Sequence, residues 1–196
     1  MKARKVKGLD PDAPLGDNAE RIVSVRLDEV YDLAPGALDP DDPRSLHDMR
    51  IAAKRLRYLL ELTAPCFGPY AGKAAKRARE LQELAGEVHD CDVMLPRIHD
   101  HLARLRAEDA HRLSERYREN GGQEPAALAR TPGRNLYRGL ELLAAHYQAR
   151  RELAHERFVV RWREIDKEGM RRRLRVALRS RSPAGATLAE VGGRKA

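Results

Sequence analysis

The sequence predicts an all-α protein, an antiparallel helical bundle of about five to six helices with mobile termini. Aromatic residues make up only 5% of the chain, and most of the apolar content is Leu, Ala and Val. This composition favours helices packed on helices over a β-sandwich. Apolar residues also recur at helical spacing, and no segment alternates as a strand would. The length of 196 residues is close to that of one globular domain.

Each helical segment is bounded by residues that start or stop helices. The first helix is expected to follow an N-cap at Asp17 and to end before Pro35. Asp42 or Ser45 can cap the second, and Pro96 suits only the first turn of the fourth. The predicted helices cover residues 18–33, 46–64, 73–88, 92–120 and 136–165, with a further basic run over 170–181.

The two ends of the chain lack the periodicity of its middle. Residues 1–17 contain several prolines and glycines and are predicted to form a flexible basic arm. Residues 182–196 are predicted to form a flexible tail, and 121–133 a linker. A single helical domain is expected over 18–181.

Cysteine usage and hydropathy bear on the compartment. Cys66 and Cys91 are the only cysteines, too few for a disulfide framework and too far apart for a CxxC motif. No apolar run approaches the roughly 18 residues of a spanning helix, and no apolar stretch follows the basic N-terminus. We therefore expect a cytoplasmic protein that does not enter the membrane.

Positive charge is concentrated in two blocks. The formal net charge is +8, and the segment Arg44–Arg79 holds nine basic residues against two acidic ones. The segment Arg150–Arg181 holds twelve against five. Most of these cations are arginines, whose planar fork suits phosphate oxygens. The charge distribution predicts a polyanionic partner.

One face of the second predicted helix is cationic, and the opposite face is apolar. Asp48 and Glu61 are too few to neutralise this row, and an uncompensated row of like charges destabilises a helix. We therefore interpret it as an anion-binding row, the alternative being a solvated face with exposed ion pairs. The row consists of His47, Arg50, Lys54 and Arg57, with Arg55 at its side and Tyr58 within it.

Two strings in this region, LHDMRIAAKRLRYLLELTAPCFG and LQELAGEVHDCDVML, resemble the CHAD family, the conserved histidine α-helical domain. The resemblance is strong over residues 46–95 and looser in RRELAHERFVVRWREI. It implies a helical bundle whose basic surface binds inorganic polyphosphate, without enzymatic activity. The matching residues are His47, Arg50, Lys54, Arg55, Arg57, Tyr58, Leu81, Gln82, Gly86, Asp90 and Asp92.

The resemblance and the basic blocks together predict a polyphosphate-binding surface without cofactor, metal or catalytic residue. The protein is expected in the cytoplasm, associated with polyphosphate granules, with a triphosphate-processing or granule-associated protein as a partner. The predicted binding residues are Arg26, His47, Arg50, Lys54, Arg55, Arg57, Tyr58, Lys73, Lys76, Arg79, His89, Arg150, Arg157 and Arg161.

The sequence departs from the family pattern in the number of motif copies. Family members usually contain two pseudo-symmetric helical halves, each with a version of the motif. Here there is one copy, similar to the second-half version, and residues 1–45 are too short to hold the other half. We therefore hypothesise that two chains pair as a homodimer.

Other functions remain open at this stage. Nucleic acid is the main alternative partner, since electrostatics alone does not separate polyanions, although few aromatic residues accompany the basic rows. An adaptor for an acidic protein is a third possibility. A metal-dependent phosphohydrolase would need Asp90 and Asp92 to bind metal with His89, Cys91, His99 and His101, but these side chains diverge on a helix. Asp90 and Asp92 are instead expected to cap the fourth helix and to hold Arg or His side chains of neighbouring helices in register.

Overall fold

A computed structural model describes residues 2–119 and 134–180, which form five α-helices and no strand. The all-α prediction is therefore confirmed. The predicted linker over 121–133 and the predicted tail over 182–196 lie outside the described residues. The helices are α1 (Leu15–Ala37), α2 (Pro43–Thr63), α3 (Tyr70–Glu119), α4 (Arg134–Lys167) and α5 (Met170–Arg179), with a 3-10 turn at Ala64–Cys66. Among these helices, none has the length and apolar character needed to cross a membrane.

The chain packs as two compact units. One contains the residues up to His89 and those from Ala154 onwards, and the other contains Asp90–Leu153. The single domain expected over 18–181 stays a prediction.

Leucine and alanine build the core of the first unit. Leu27 of α1, Leu56 of α2, Leu81 of α3 and Leu174 of α5 are fully buried, and Phe158 of α4 joins them. Alanines are buried between these larger side chains, and small residues let helices pack at close interaxial distance. The apolar helix faces that the spacing predicts are therefore the faces that pack together in this core.

Antiparallel helix packing forms the second unit. Cross-helix contacts join the part of α3 after His89 to the part of α4 before Ala154. They include Arg151 to Asp92 (2.5 Å), Arg106 to Glu141 (2.6 Å), and the Tyr137 hydroxyl donating to the Asp109 carboxylate.

α1 starts earlier and ends later than expected. Its N-cap is Pro14, which makes no side-chain cap bond, so the prediction of a cap at Asp17 is wrong. Asp17 lies in the first turn, where a negative charge is favourable. α1 also continues through Pro35, because a proline in the last turn removes one hydrogen bond while Ala34 and Ala37 remain buried against the core.

Asp42 caps α2, as one of the two expected capping residues. Its carboxylate accepts the Ser45 backbone N–H at 2.9 Å and the Ser45 hydroxyl at 2.5 Å. These bonds lower the pKa of Asp42, with the hydroxyl the largest cause. Pro43 follows at the first helical position, where a missing N–H is harmless.

The third and fourth predicted helices are one helix. α3 runs from Tyr70 to Glu119 with Pro96 inside it, so the expected break near Asp90 and the capping role of Asp90 and Asp92 are wrong. Buried positions continue at helical spacing through this stretch, with Val88 and Cys91 both fully buried. Apolar burial on the same helix face outweighs the local capping tendency of aspartate.

A buried ion pair ties the N-terminal arm to α1. Arg26 is 8% exposed and Glu29 is fully buried, and their side chains are 2.6 Å apart. The backbone N–H of Arg4 donates to Glu29, and its carbonyl accepts from Arg26. Arg4 also pairs with Asp32, a hydrogen bond that raises the pKa of the arginine. The flexibility expected of the arm stays a prediction.

We predict that Glu29→Ala lowers the free energy of unfolding by about 3–5 kcal/mol, because it leaves the Arg26 charge buried without its carboxylate. The control is Arg26→Met/Glu29→Met, which removes both charges and should recover most of this loss. Urea unfolding monitored by circular dichroism measures both. A loss below about 1 kcal/mol in the single variant would show that the pair is not desolvated.

Candidate functional site

Three contacts fix how α2 lies beside α3. They join His47 Nδ1 to His89 Nδ1 (3.3 Å), Arg57 Nη1 to Gln82 Oε1 (3.4 Å) and Arg79 Nη2 to Glu61 Oε1 (2.7 Å). Numbers rise along α2 as they fall along α3, so the two helices are antiparallel. We call this face the α2–α3 surface; it comprises His47, Arg50, Lys54, Arg57, Tyr58, Glu61, Arg79, Gln82, Gly86 and His89.

A histidine pair lies at one end of the α2–α3 surface. The rings of His47 and His89 have centroids 4.5 Å apart and planes inclined by 43°. Because the two Nδ1 atoms face each other, one must donate and the other accept. Both side chains are half-buried, which leaves part of each ring accessible to a ligand.

Arg50 follows on α2 and is half-buried. Its Nε is buried and has no hydrogen-bond acceptor among the described residues. A buried donor left without a partner costs about 1–3 kcal/mol. The terminal nitrogens of Arg50 are not among the buried unpaired atoms, so they are the donors that an anionic oxygen on this surface would meet.

Lys54 lies one turn further along and is exposed. Within the described ranges it forms no ion pair, and its Nζ lies 5.9 Å from the centre of the Tyr58 ring. The Arg57 guanidinium lies 5.1 Å from the same ring. Tyr58 therefore packs against two cations on this surface.

Glu61 pairs with two arginines at the other end of the α2–α3 surface. Its Oε1 accepts from Arg79 at 2.7 Å and from Arg57 Nε at 2.9 Å. These bonds lower the pKa of Glu61, with Arg79 the largest cause, and Glu61 in turn raises the pKa of Arg57. One carboxylate thus offsets part of the charge of two cations.

Gly86 leaves a gap in the α3 side of this surface. The antiparallel register places it opposite Arg50, between Gln82 and His89 on the same face of α3. A Cβ built at Gly86 would meet no atom within 4 Å. The gap gives a ligand room to approach Arg50.

The other predicted cations of α3 lie on its opposite face. At about 100° per residue, Lys73 lies half a turn away from Gln82, and Lys76 lies near Lys73. The C-terminal part of α4 packs there, with Arg161 bonded to Glu80 (2.6 Å) and Arg157 to Glu87 (3.1 Å). The expected binding residues therefore divide between two faces of α3.

Two further predicted residues lie away from the α2–α3 surface, and a third, Arg150, belongs to the second unit. Arg26 is committed to Glu29 and to the Arg4 carbonyl. Arg150 is exposed. Arg55 is half-buried on the flank of α2 opposite to Arg57.

Asp90 and Asp92, the carboxylates considered for metal binding, do not lie in a cluster of metal-binding side chains among the described residues. Asp92 accepts from Arg151 at 2.5 Å, and Asp90 is exposed. Burial is the main cause that raises the pKa of the Cys91 thiol. Within the part of the chain that is described, no group of three or more His, Cys, Asp or Glu side chains could hold a metal ion.

Gln82 and Gly86 belong to the motif resemblance in the sequence, but they are not among the predicted binding residues. The available signal was their spacing: Gln82, Gly86 and His89 at i, i+4 and i+7 share one helix face. The bonds of Glu61 to both Arg57 and Arg79 had no comparable signal in the sequence spacing, because Arg79 lies on another helix.

A family model described as CHAD domain matches residues 2–99, half of the 196-residue chain. The match includes all of the α2–α3 surface. No curated protein and no solved structure matches the chain.

We predict that Arg50→Met leaves the free energy of unfolding in phosphate-free buffer unchanged, or raises it by up to about 3 kcal/mol, because it removes a buried donor without an acceptor. Methionine keeps an unbranched apolar stem. Arg57→Met, which removes one of two cations bonded to Glu61, should instead lower stability slightly. Urea unfolding of both variants measures this, and a loss above about 1 kcal/mol in Arg50→Met would show that Arg50 has a structural role.

Proposed function

The chain belongs to the CHAD domain family, and from that premise we propose that it binds inorganic polyphosphate along the α2–α3 surface. The observation that carries the proposal is that Arg50 and Lys54, one turn apart on α2, form no ion pair with any described residue. Arg50 is half-buried and Lys54 is exposed, so both charges remain available to an anionic oxygen. Phosphate oxygens suit Arg50, because charge-assisted bonds from arginine to phosphate are strong and directional.

The length of the surface suits a chain of phosphates. His47 and Arg57 are ten residues apart, which corresponds to about 15 Å along the axis of α2. Four cations line this stretch, Arg50, Lys54, Arg57 and Arg79. Glu61 is bonded to the last two of them. A flexible polyanion can make several modest contacts with such a row and release its counterions.

Polyphosphate fits this surface better than nucleic acid does. Proteins that bind single strands stack bases on exposed aromatic rings. Tyr58 is the aromatic residue exposed here, at 51%, and Arg57 and Lys54 already lie against its ring. The surface thus offers contacts for phosphate groups and little for bases.

We propose binding without turnover. Glu61 is held by two guanidinium groups, which both bond to its Oε1 and lower its pKa, and this weakens it as a general base. Incubation with polyphosphate should release no orthophosphate. The homodimer, the granule association and the partner protein that processes triphosphate stay predictions.

Medium-chain polyphosphate titrated by calorimetry at two salt concentrations tests the binding site. Arg50→Met/Lys54→Met should weaken binding about 100-fold, given at least about 1.4 kcal/mol for each charged contact, and should lower the salt slope by about two. Neither residue has a carboxylate partner in the described ranges, so the double variant leaves no acidic side chain without its cation.

The matched control is Arg163→Met/Lys167→Met, an exposed pair with the same i, i+4 spacing and the same loss of charge. It should bind almost as tightly as the wild type. Single-stranded RNA of equal charge should compete weakly. Equal weakening in both double variants, or displacement by RNA at equal charge, would contradict a specific polyphosphate surface.

The gap at Gly86 provides a second test of the binding site, in which the charge of the introduced side chain is varied while its size is kept constant. Gly86→Glu should abolish polyphosphate binding, whereas Gly86→Gln should reduce it only modestly, because the two side chains differ in charge and hardly in volume. Both variants should fold at least as stably as the wild type, since glycine costs about 1 kcal/mol relative to alanine within a helix. Calorimetry and thermal unfolding measure the two effects. Unaltered binding by Gly86→Glu would place the ligand elsewhere.

A further inference from the structure

A cavity lies on the other side of α3, at its N-terminal end. Its volume is about 280 Å³, close to the lower end of the roughly 300–1,000 Å³ of small-molecule sites. Four cations line it: Lys73, Lys76 and Arg77 from the first two turns of α3, and Arg173 from α5. Tyr70, Glu80 and Glu168 complete the lining.

Both carboxylates of this cavity are already bonded to arginines. Glu168 accepts from Arg77 Nη2 at 3.0 Å on each oxygen. Glu80 accepts from Arg161 at 2.6 and 3.0 Å and from Arg77 Nη1 at 3.2 Å. These ion pairs hold the wall of the cavity in place and largely offset its negative charge.

The remaining cations of the lining are not offset. Lys73, Lys76 and Arg173 are exposed and form no ion pair with any described residue. Three positive charges around a small concave space attract a compact anion of similar charge. The positive end of the α3 dipole adds to this attraction.

Tyr70 adds a neutral hydrogen-bond donor. Burial is the main cause that raises the pKa of its hydroxyl; Glu168 also raises it, and Arg173 and Arg77 act in the opposite direction. The phenol therefore keeps its proton at neutral pH. It can donate to a phosphate oxygen beside the lysines.

We propose that this cavity binds a small phosphorylated ligand, of the size and charge of pyrophosphate, at a site separate from the α2–α3 surface. Lysine ammonium groups and a guanidinium supply the charge, and the Tyr70 hydroxyl supplies a directional donor. The size of the cavity admits a few phosphoryl groups and excludes a long folded chain. The same phosphoryl chemistry would also suit the end of a polyphosphate chain, so the experiment separates these two sources.

The experiment titrates full-length protein with inorganic pyrophosphate by calorimetry, followed by ³¹P NMR of the bound ligand. Lys73→Met/Lys76→Met and Tyr70→Phe should each weaken pyrophosphate binding, the former by tenfold or more. Arg50→Met/Lys54→Met and Arg163→Met/Lys167→Met should leave it unchanged. Thermal unfolding checks that each variant remains folded, which we expect because the two lysines are exposed without ion pairs.

Medium-chain polyphosphate titrated into the same variants separates the possible failures. Polyphosphate binding should survive Lys73→Met/Lys76→Met and fall in Arg50→Met/Lys54→Met. Absence of pyrophosphate binding to the wild type, with polyphosphate still bound, overturns the cavity site and leaves the proposed function standing. Loss of pyrophosphate in Arg50→Met/Lys54→Met overturns it by placing the ligand on the α2–α3 surface. Loss of both ligands in Lys73→Met/Lys76→Met overturns the separate site, since the cavity then takes the end of the polymer.

Discussion

The antiparallel packing of α2 against α3 is the constraint on which the binding surface depends. Both helices bury alanines and leucines in the common core, such as Ala53 and Ala85, and this fixes which faces remain at the boundary with solvent. The polar residues next to the buried seams must then meet across the two helices. The facing rings of His47 and His89 and the shared Glu61 are consequences of that register.

Pairing with carboxylates decides what the many arginines do. On the far side of α3, Arg157 and Arg161 are bonded to Glu87 and Glu80. Exposed pairs of this kind contribute little stability each, but they leave less charge for a ligand. Arg26 is committed more completely, because its partner Glu29 is fully buried. A count of basic residues therefore overstates how many can bind an anion.

The sequence could predict the helices and the cationic face of α2, because the period of apolar residues is a local property that the core then uses. It failed at Asp90 and Asp92, where a local capping tendency competes with continued burial at Val88 and Cys91. The spacing of Lys73 and Gln82 already indicates opposite faces of one helix. The bond between Glu80 and Arg161 joins residues 81 positions apart, and only the packing of α4 reveals it.

The four cations of the α2–α3 surface differ in whether they already bond to a carboxylate. This difference predicts how much each contributes to the affinity for a ligand. A ligand that reaches Arg57 or Arg79 must compete with Glu61 for their hydrogen bonds, so part of each new contact replaces an existing one. Arg50 and Lys54 have no such bond to break among the described residues. Preorganised, unpaired donors retain most of their interaction energy on binding. The centre of the surface should therefore dominate the affinity, with its ends extending the contact along the polymer.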